Sequence, residues 1–373
     1  MKVQIKKAKF IRNVIIGVIA LFIVAFIINT APGYRRDKYA DIINLIIEDT
    51  NVTEKLKKPI YTDEAGNIYI SQEDIKNLLD KTLYYDQEEK MIIATSEVSV
   101  SSMKLDEKVM TINGATVDTL YKAMEIDNTI YIPIEELEIV YNIEVKYLKD
   151  KQIVIIDKLN EGMVKAEATE EATIKYRPRK LSKKVGTLKA GDIVNAFYTT
   201  SKGWRLIRTE DGTLGYVKAN VLTNECILRQ DMLQDVKTKH ISIETKDGTR
   251  LTIEGETIVI RDILSLTKDG ILLRNNIEEE SGNIWVNLKI QDVQLNKYEE
   301  RCKYIKNIIK VVMKNNINGI NVLIDENSEY TERFIIELAP RLRELGIKTN
   351  VVLNENTNSD NYKTIVNYII ENK

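Results

Sequence analysis

The chain has 373 residues, 54 lysines and arginines against 56 aspartates and glutamates, and an apolar share of 43%, which is enough for two or three globular domains. Up to Lys38 there are eight basic residues and one acid, Asp37; the mildly acidic body that remains excludes the basic surface a nucleic-acid partner requires. A single histidine, His240, and two distant cysteines, Cys226 and Cys302, exclude a multi-histidine metal centre, a disulfide framework and a zinc site.

No cofactor or metal is expected. A Ser-His-Asp triad would have to use His240, and no G-x-S-x-G turn accompanies it. His240 therefore reads as an incidental strand or loop residue.

In chain order, the first element is "VIIGVIALFIVAFII", residues 14–28, flanked by Lys and Arg. With Asn13 and residues 29–31 it approaches the roughly 17–25 residues that a bilayer requires. Five bases precede it, so a tail over residues 1–12 stays cytoplasmic and the remainder crosses. Pro32 argues against cleavage just before it. The expectation is a transmembrane helix over 13–31, a single-pass membrane protein with its body outside, and a linker over 32–46.

Two similar stretches follow. "NIYISQEDIKNLLDKTLYYDQEEKMIIAT" begins at Asn67 and "TIYIPIEELEIVYNIEVKYLKDKQIVIID" at Thr129, with their Ile-Tyr-Ile segments sixty-two positions apart. Each reads as strand, helix and hairpin, an internal repeat. Ser71 suits an N-cap, and Pro133 suits the first helical turn of the second copy. Between them "VMTINGATV" is a hairpin turning at Asn113-Gly114. This region, 47–158, resembles the stalk domain named after the N-terminus of copper amine oxidases. The resemblance implies an α+β spacer rather than a catalytic part, and without histidine it has no copper site.

From residue 163 to 223 the pattern is short strands and tight turns. "IKYRPRK", "VGTLKAGDIVNAF" and "GWRLIRTEDGTLGYVKANVL" place glycines where the chain must reverse. Their order resembles a bacterial Src-homology-3-like domain, a small β-barrel, which implies binding of peptidoglycan peptides or a spacer role. Trp204 and Tyr216 are the candidate ligand-stacking residues, with Trp204 equally able to plug the barrel. Arg177, Arg179, Lys180, Lys183 and Lys184 form a basic loop suited to anionic wall polymer or to plain solvation.

From residue 226 to 373, strands alternate with helices. "HISIET", "TIVIRDIL", "NIWVNLKI", "GINVLID" and "KTNVVLN" read as strands. Residues 297–314 and 330–345 read as amphipathic helices, the second kinked at Pro340 and ended by Gly346. The stretch "NINGINVLIDENSEYTERFIIELAPRLRELGIKTNVVLN" resembles the fourth-strand segment of glycoside hydrolase family 18. That implies a (β/α) TIM-barrel and a D-x-x-D-x-D-x-E motif ending in a proton-donating Glu. On this chain the four motif positions are Asn318, Asn321, Leu323 and Asp325.

The departures decide the expectation. Leu323 cannot orient an acetamido group. Asp325 holds its proton roughly 1–1.5 Å short, and an error of that size costs on the order of a hundredfold in rate. Glu326 alternates to the other face of the strand unless a bulge turns it. The 148 residues from Cys226 to Lys373 fall below the ~250 of a complete barrel. The expected whole is multidomain: transmembrane helix, duplicated α+β stalk, Src-homology-3-like barrel and an incomplete TIM-barrel-like domain. Its expected role is a non-catalytic envelope protein that binds peptidoglycan or N-acetylglucosamine-containing glycan, or acts as a scaffold, with a protein partner possible along the open sheet edge. The alternative is a family 18 hydrolase with residual activity through Asp325 or Glu326.

Overall fold

The computed structural model describes residues 15, 17–25, 42–159, 161–229, 238–273, 283–324, 328–353 and 359–372. The expected transmembrane helix over 13–31 is a first correction. Residues 17–25 are helical, and among the described residues no helix is long and apolar enough to cross a membrane. The described chain is mostly β-sheet with few helices, and it forms two compact units: Met1–Ile60 with Asn142–Leu233, and Tyr61–Tyr141 with Gln234–Lys373.

In the first unit the strand Asn44–Ile47 pairs in parallel with Ile153–Lys158, which forms a hairpin with Ile143–Leu148. A seven-stranded antiparallel sheet follows, running from Lys184–Leu188 at one edge to Leu222–Arg229 at the other. Its ladder is an open path, where the sequence suggests a closed barrel. Ala166, Ile174, Leu188, Val194, Ile207 and Val217 form its core. Gly215 is required by close approach: a Cβ there would lie 2.6 Å from Ile174 and 2.8 Å from the Lys175 carbonyl. Arg208, buried on this sheet, donates to Asp157 at 2.6 Å and to the Glu48 carbonyl at 2.5 Å, tying it to the strand Ile153–Lys158.

In the second unit, Ile68–Ser71 pairs antiparallel with Thr129–Pro133, so the two Ile-Tyr-Ile segments lie side by side. Each leads into a short helix, Gln72–Leu78 or Glu136–Val140. Ser71 caps the first, accepting from the Asp74 N–H at 3.1 Å. Pro133 ends its strand, three residues ahead of the second helix. A five-stranded antiparallel meander runs from Tyr84–Asp86 to Ala115–Asp118, and its last turn uses Asn113 (φ 48°) and Gly114 (φ 90°), both left-handed.

The rest of this unit is an eight-stranded sheet. Its strands are β1 Lys239–Ile243, β2 Arg250–Ile253, β3 Glu256–Thr267, β4 Gly270–Leu273, β5 Asn283–Ile290, β6 Gly319–Leu323, β7 Lys348–Leu353 and β8 Tyr368–Asn372. Helix α1, Tyr298–Lys314, connects β5 to β6, and α2, Glu329–Arg343, connects β6 to β7. The spatial order is β1-β8-β7-β6-β5-β3-β2, with β4 on β3. This corrects the incomplete TIM barrel. A TIM barrel places a helix after every strand and closes on itself. Here β2, β3 and β4 are joined as antiparallel hairpins, and among the described residues the ladder has two edges, β1 and β2.

Residues alternate between the two faces. On one, Leu264, Val286, Leu288, Ile320, Val322, Val351 and Ile369 pack on Ile305, Ile308 and Val312 of α1 and Phe334, Leu338 and Leu342 of α2. On the other, Ile260, Trp285, Val352, Tyr368 and Ile370 cluster with Ile241 of β1 and Leu251 of β2. Because both edge strands reach one cluster, the sheet curls about this face. The helices also contact the five-stranded meander: Tyr298 packs with Met91, Ile93 and Val100, and Cys302 joins them.

Candidate functional site

The strand singled out by the sequence is β6, and three of its four motif positions are described. Asn318, just before it, accepts the Ile284 N–H on Oδ1 at 3.0 Å and extends the β5–β6 ladder. Asn321 is 0% exposed. It stands in register with Asn287 on β5 and Asn350 on β7. Register-matched residues on neighbouring strands are ~4.8 Å apart, a spacing an amide can bridge. Asn321 Nδ2 donates to Asn287 Oδ1 at 3.0 Å, and Asn350 Nδ2 donates to Asn321 Oδ1 at 2.9 Å. Asn287 Nδ2 donates to the Thr245 carbonyl at 2.5 Å. A buried ladder of three amides therefore crosses the middle of the curled face.

Leu323 packs against the Trp285–Tyr368 cluster. Asp325 and Glu326, the candidate acids, lie outside the described residues. At the β6 end the structure instead presents a pair absent from the sequence reading. Lys289, in register with Leu323, donates to Asp262 at 2.6 Å, with both side chains about one-third exposed. The C-terminal ends of parallel strands are where α/β sheets usually gather ligands, and here that end carries a satisfied ion pair. The alternation of "NLK" along β5 was the signal for Lys289; Asp262 depends on a register irregularity after Arg261, which alternation does not reveal.

In the first unit, Trp204 is 7% exposed and the Lys218 ammonium stands 4.5 Å over its ring, so this ring has no open face for stacking. Tyr216 is half-buried. Its hydroxyl shares a 2.7 Å hydrogen bond with that of Tyr198, and the rings meet edge to face at 6.4 Å. Burial, followed by that hydrogen bond, pushes the Tyr216 phenol up to about 12, so it stays a neutral hydroxyl at neutral pH. Tyr198 is exposed and was missed in the sequence, where "AFYTT" offers no sign of which aromatic turns outward. The structure pairs Tyr198 with Tyr216 and places Trp204 in the sheet's packing.

Tyr216 is in register with Lys175, and the basic loop begins two residues beyond Lys175. Arg177, Arg179, Lys180 and Lys184 are exposed and Lys183 is partly exposed, which puts an aromatic pair beside concentrated positive charge. His240 is exposed on β1. Among the described residues no group of three or more His, Cys, Asp or Glu could hold a metal ion.

Residues 47–156 match the family described as Copper amine oxidase N-terminal domain. The matched stretch contributes to both compact units. No curated protein matches the chain. Two solved structures from Trichomonas vaginalis are similar over part of their length. NlpC1 is 14% identical with a TM-score of 0.16, covering 31% of this chain and 33% of that one. NlpC2 is 11% identical with a TM-score of 0.16, covering 36% and 35%. This chain thus spans about a third of each, and likeness at this level carries no argument about fold or function.

Proposed function

We propose that the chain is a non-catalytic protein of the cell envelope with its body outside the cytoplasmic membrane. It binds peptidoglycan or another N-acetylglucosamine-containing glycan. The observation that carries the non-catalytic reading is the amide ladder. The positions that would align an acid with a sugar in a family 18 enzyme are taken up by Asn318 in the strand ladder, Asn321 in a buried chain of amides, and Leu323 in an apolar cluster. Family 18 chemistry needs an open site with an orienting carboxylate next to its acid, and Asn321 and Leu323 supply neither.

The binding reading is supported by the antiparallel module, whose order of turns over residues 163–223 resembles a bacterial Src-homology-3-like domain. Tyr198 and Tyr216 offer an aromatic surface, and the adjacent basic loop suits an anionic wall polymer. The family match over 47–156 agrees with a spacer that carries this surface away from the membrane.

Sedimentation of the purified soluble body with insoluble peptidoglycan tests the reading. The wild type is retained, and the Tyr198→Ala/Tyr216→Ala double variant loses at least about tenfold in affinity, as loss of an aromatic anchor pair does. Absence of wild-type retention on peptidoglycan and chitin removes the glycan reading and leaves a scaffold. Release of reducing sugar at an enzymatic rate overturns the non-catalytic one.

A further inference from the structure

The layer between α1, α2 and the five-stranded meander buries Arg301, Glu337 and Arg341. Glu337 is fully buried and committed to Arg301: Arg301 Nε donates to its two oxygens at 3.1 and 3.0 Å, and Arg301 Nη2 donates to Oε1 at 2.9 Å. The Tyr84 hydroxyl also donates to Oε1, at 2.9 Å. One turn along α2, Arg341 is 7% exposed and forms no carboxylate ion pair among the described residues. Its Nη2 donates to Tyr298 Oη at 3.4 Å and to Cys302 Sγ at 3.6 Å. Its Nη1 is buried without a hydrogen-bond partner. A guanidinium out of water normally has its donors matched by oxygen acceptors, because an unmet charged donor is costly. The Tyr298 hydroxyl and the Cys302 thiol both meet Nη2, and neither meets Nη1.

We propose that Cys302 is an oxidative modification site, converted by a hydroperoxide to a sulfenic acid whose new oxygen is received by the unpartnered Nη1 of Arg341. The Cys302 sulfur attacks one peroxide oxygen with an electron pair, the O–O bond breaks, and the departing hydroxide takes the thiol proton to leave as water. Sulfur is oxidised by two electrons and hydrogen peroxide is reduced by two. Two features point to this thiol. The Arg341 guanidinium is hydrogen-bonded to the sulfur, and the product supplies the acceptor that the buried donor lacks. Cys302 is partly exposed, so a small peroxide can reach it. Cys226, exposed on Leu222–Arg229, has no arginine hydrogen-bonded to its sulfur among the described residues and serves as the internal reference.

The test is sulfenic-acid trapping with dimedone on the full chain exposed to hydrogen peroxide, with each cysteine followed by peptide mass spectrometry. In the folded protein Cys302 is labelled about tenfold faster than the more exposed Cys226, because the guanidinium receives the oxygen as it is transferred to sulfur. The advantage disappears in urea. In Arg341→Gln, Cys302 falls to the rate of Cys226 while Cys226 itself is unchanged; in Tyr298→Phe, which keeps the guanidinium, the advantage remains. Labelling of Cys302 no faster than Cys226 in the folded chain overturns the proposal, as does a preference that survives urea or the Arg341→Gln change. If Arg341→Gln does not fold, the comparison of folded and urea-unfolded wild type decides.

Discussion

Asn321 shows how much one side chain can determine. Its amide donates to Asn287 and accepts from Asn350 with no exposure to solvent. Asn321→Ala leaves a buried acceptor and a buried donor unmet, and urea unfolding should read a loss of about 2–5 kcal/mol. The Arg301–Glu337 pair makes a second residue-scale prediction. Glu337→Leu strands a buried guanidinium and should cost about 3–5 kcal/mol, whereas Arg301→Met with Glu337→Leu should recover most of it, since a packed apolar pair avoids desolvating two charges. A double-mutant cycle by urea unfolding measures both. At this scale the sequence named Asn318, Asn321 and Leu323 as positions lacking carboxylate chemistry. It did not show that Asn287 and Asn350 complete a ladder with Asn321, because that depends on the register of three strands separated by helices and loops.

The elements themselves were largely legible. The apolar runs in "NIWVNLKI" and "KTNVVLN" fall on β5 and β7, and the two periodic segments fall on α1 and α2. Burial on one or both faces imposes such patterns locally, whatever the connections between elements. Close approach is not local. Gly319 could be read as an ordinary strand glycine, yet a Cβ there would lie 2.6 Å from Trp285 Cδ1 on the neighbouring strand. Gly319→Ala should therefore force the indole aside, costing about 1–3 kcal/mol in thermal or urea unfolding, with a change in tryptophan fluorescence as a second readout. Pro133 shows the reverse error. A proline compatible with a first helical turn ends a strand here, paired with Tyr69.

For the molecule as a whole, pH dependence reports how its tyrosines are buried. Burial pushes Tyr69 and Tyr362 up to about 12, as it does Tyr216. A phenol whose folded pKa exceeds its unfolded value near 10 stabilises the fold fully below pH ~10, and that contribution is lost as pH rises through the folded value. Thermal unfolding should accordingly show a phenol contribution that holds to about pH 10 and is lost toward pH 12. A chain cut to residues 42–159 should expose Met91, Ile93 and Val100, which Tyr298 of α1 covers, and should bind a hydrophobic dye that the full chain does not. By itself the sequence determined the secondary elements, the repeat of strand, helix and hairpin, and the missing motif carboxylates, because periodicity, turn residues and side-chain identity are written position by position. Only the tertiary structure decided that the C-terminal sheet combines antiparallel hairpins with parallel strands, that three asparagines form one buried ladder, that Tyr198 rather than Trp204 partners Tyr216, and that Arg341 reaches Cys302. Those outcomes depend on strand order and register, which arise from contacts between residues far apart in the chain.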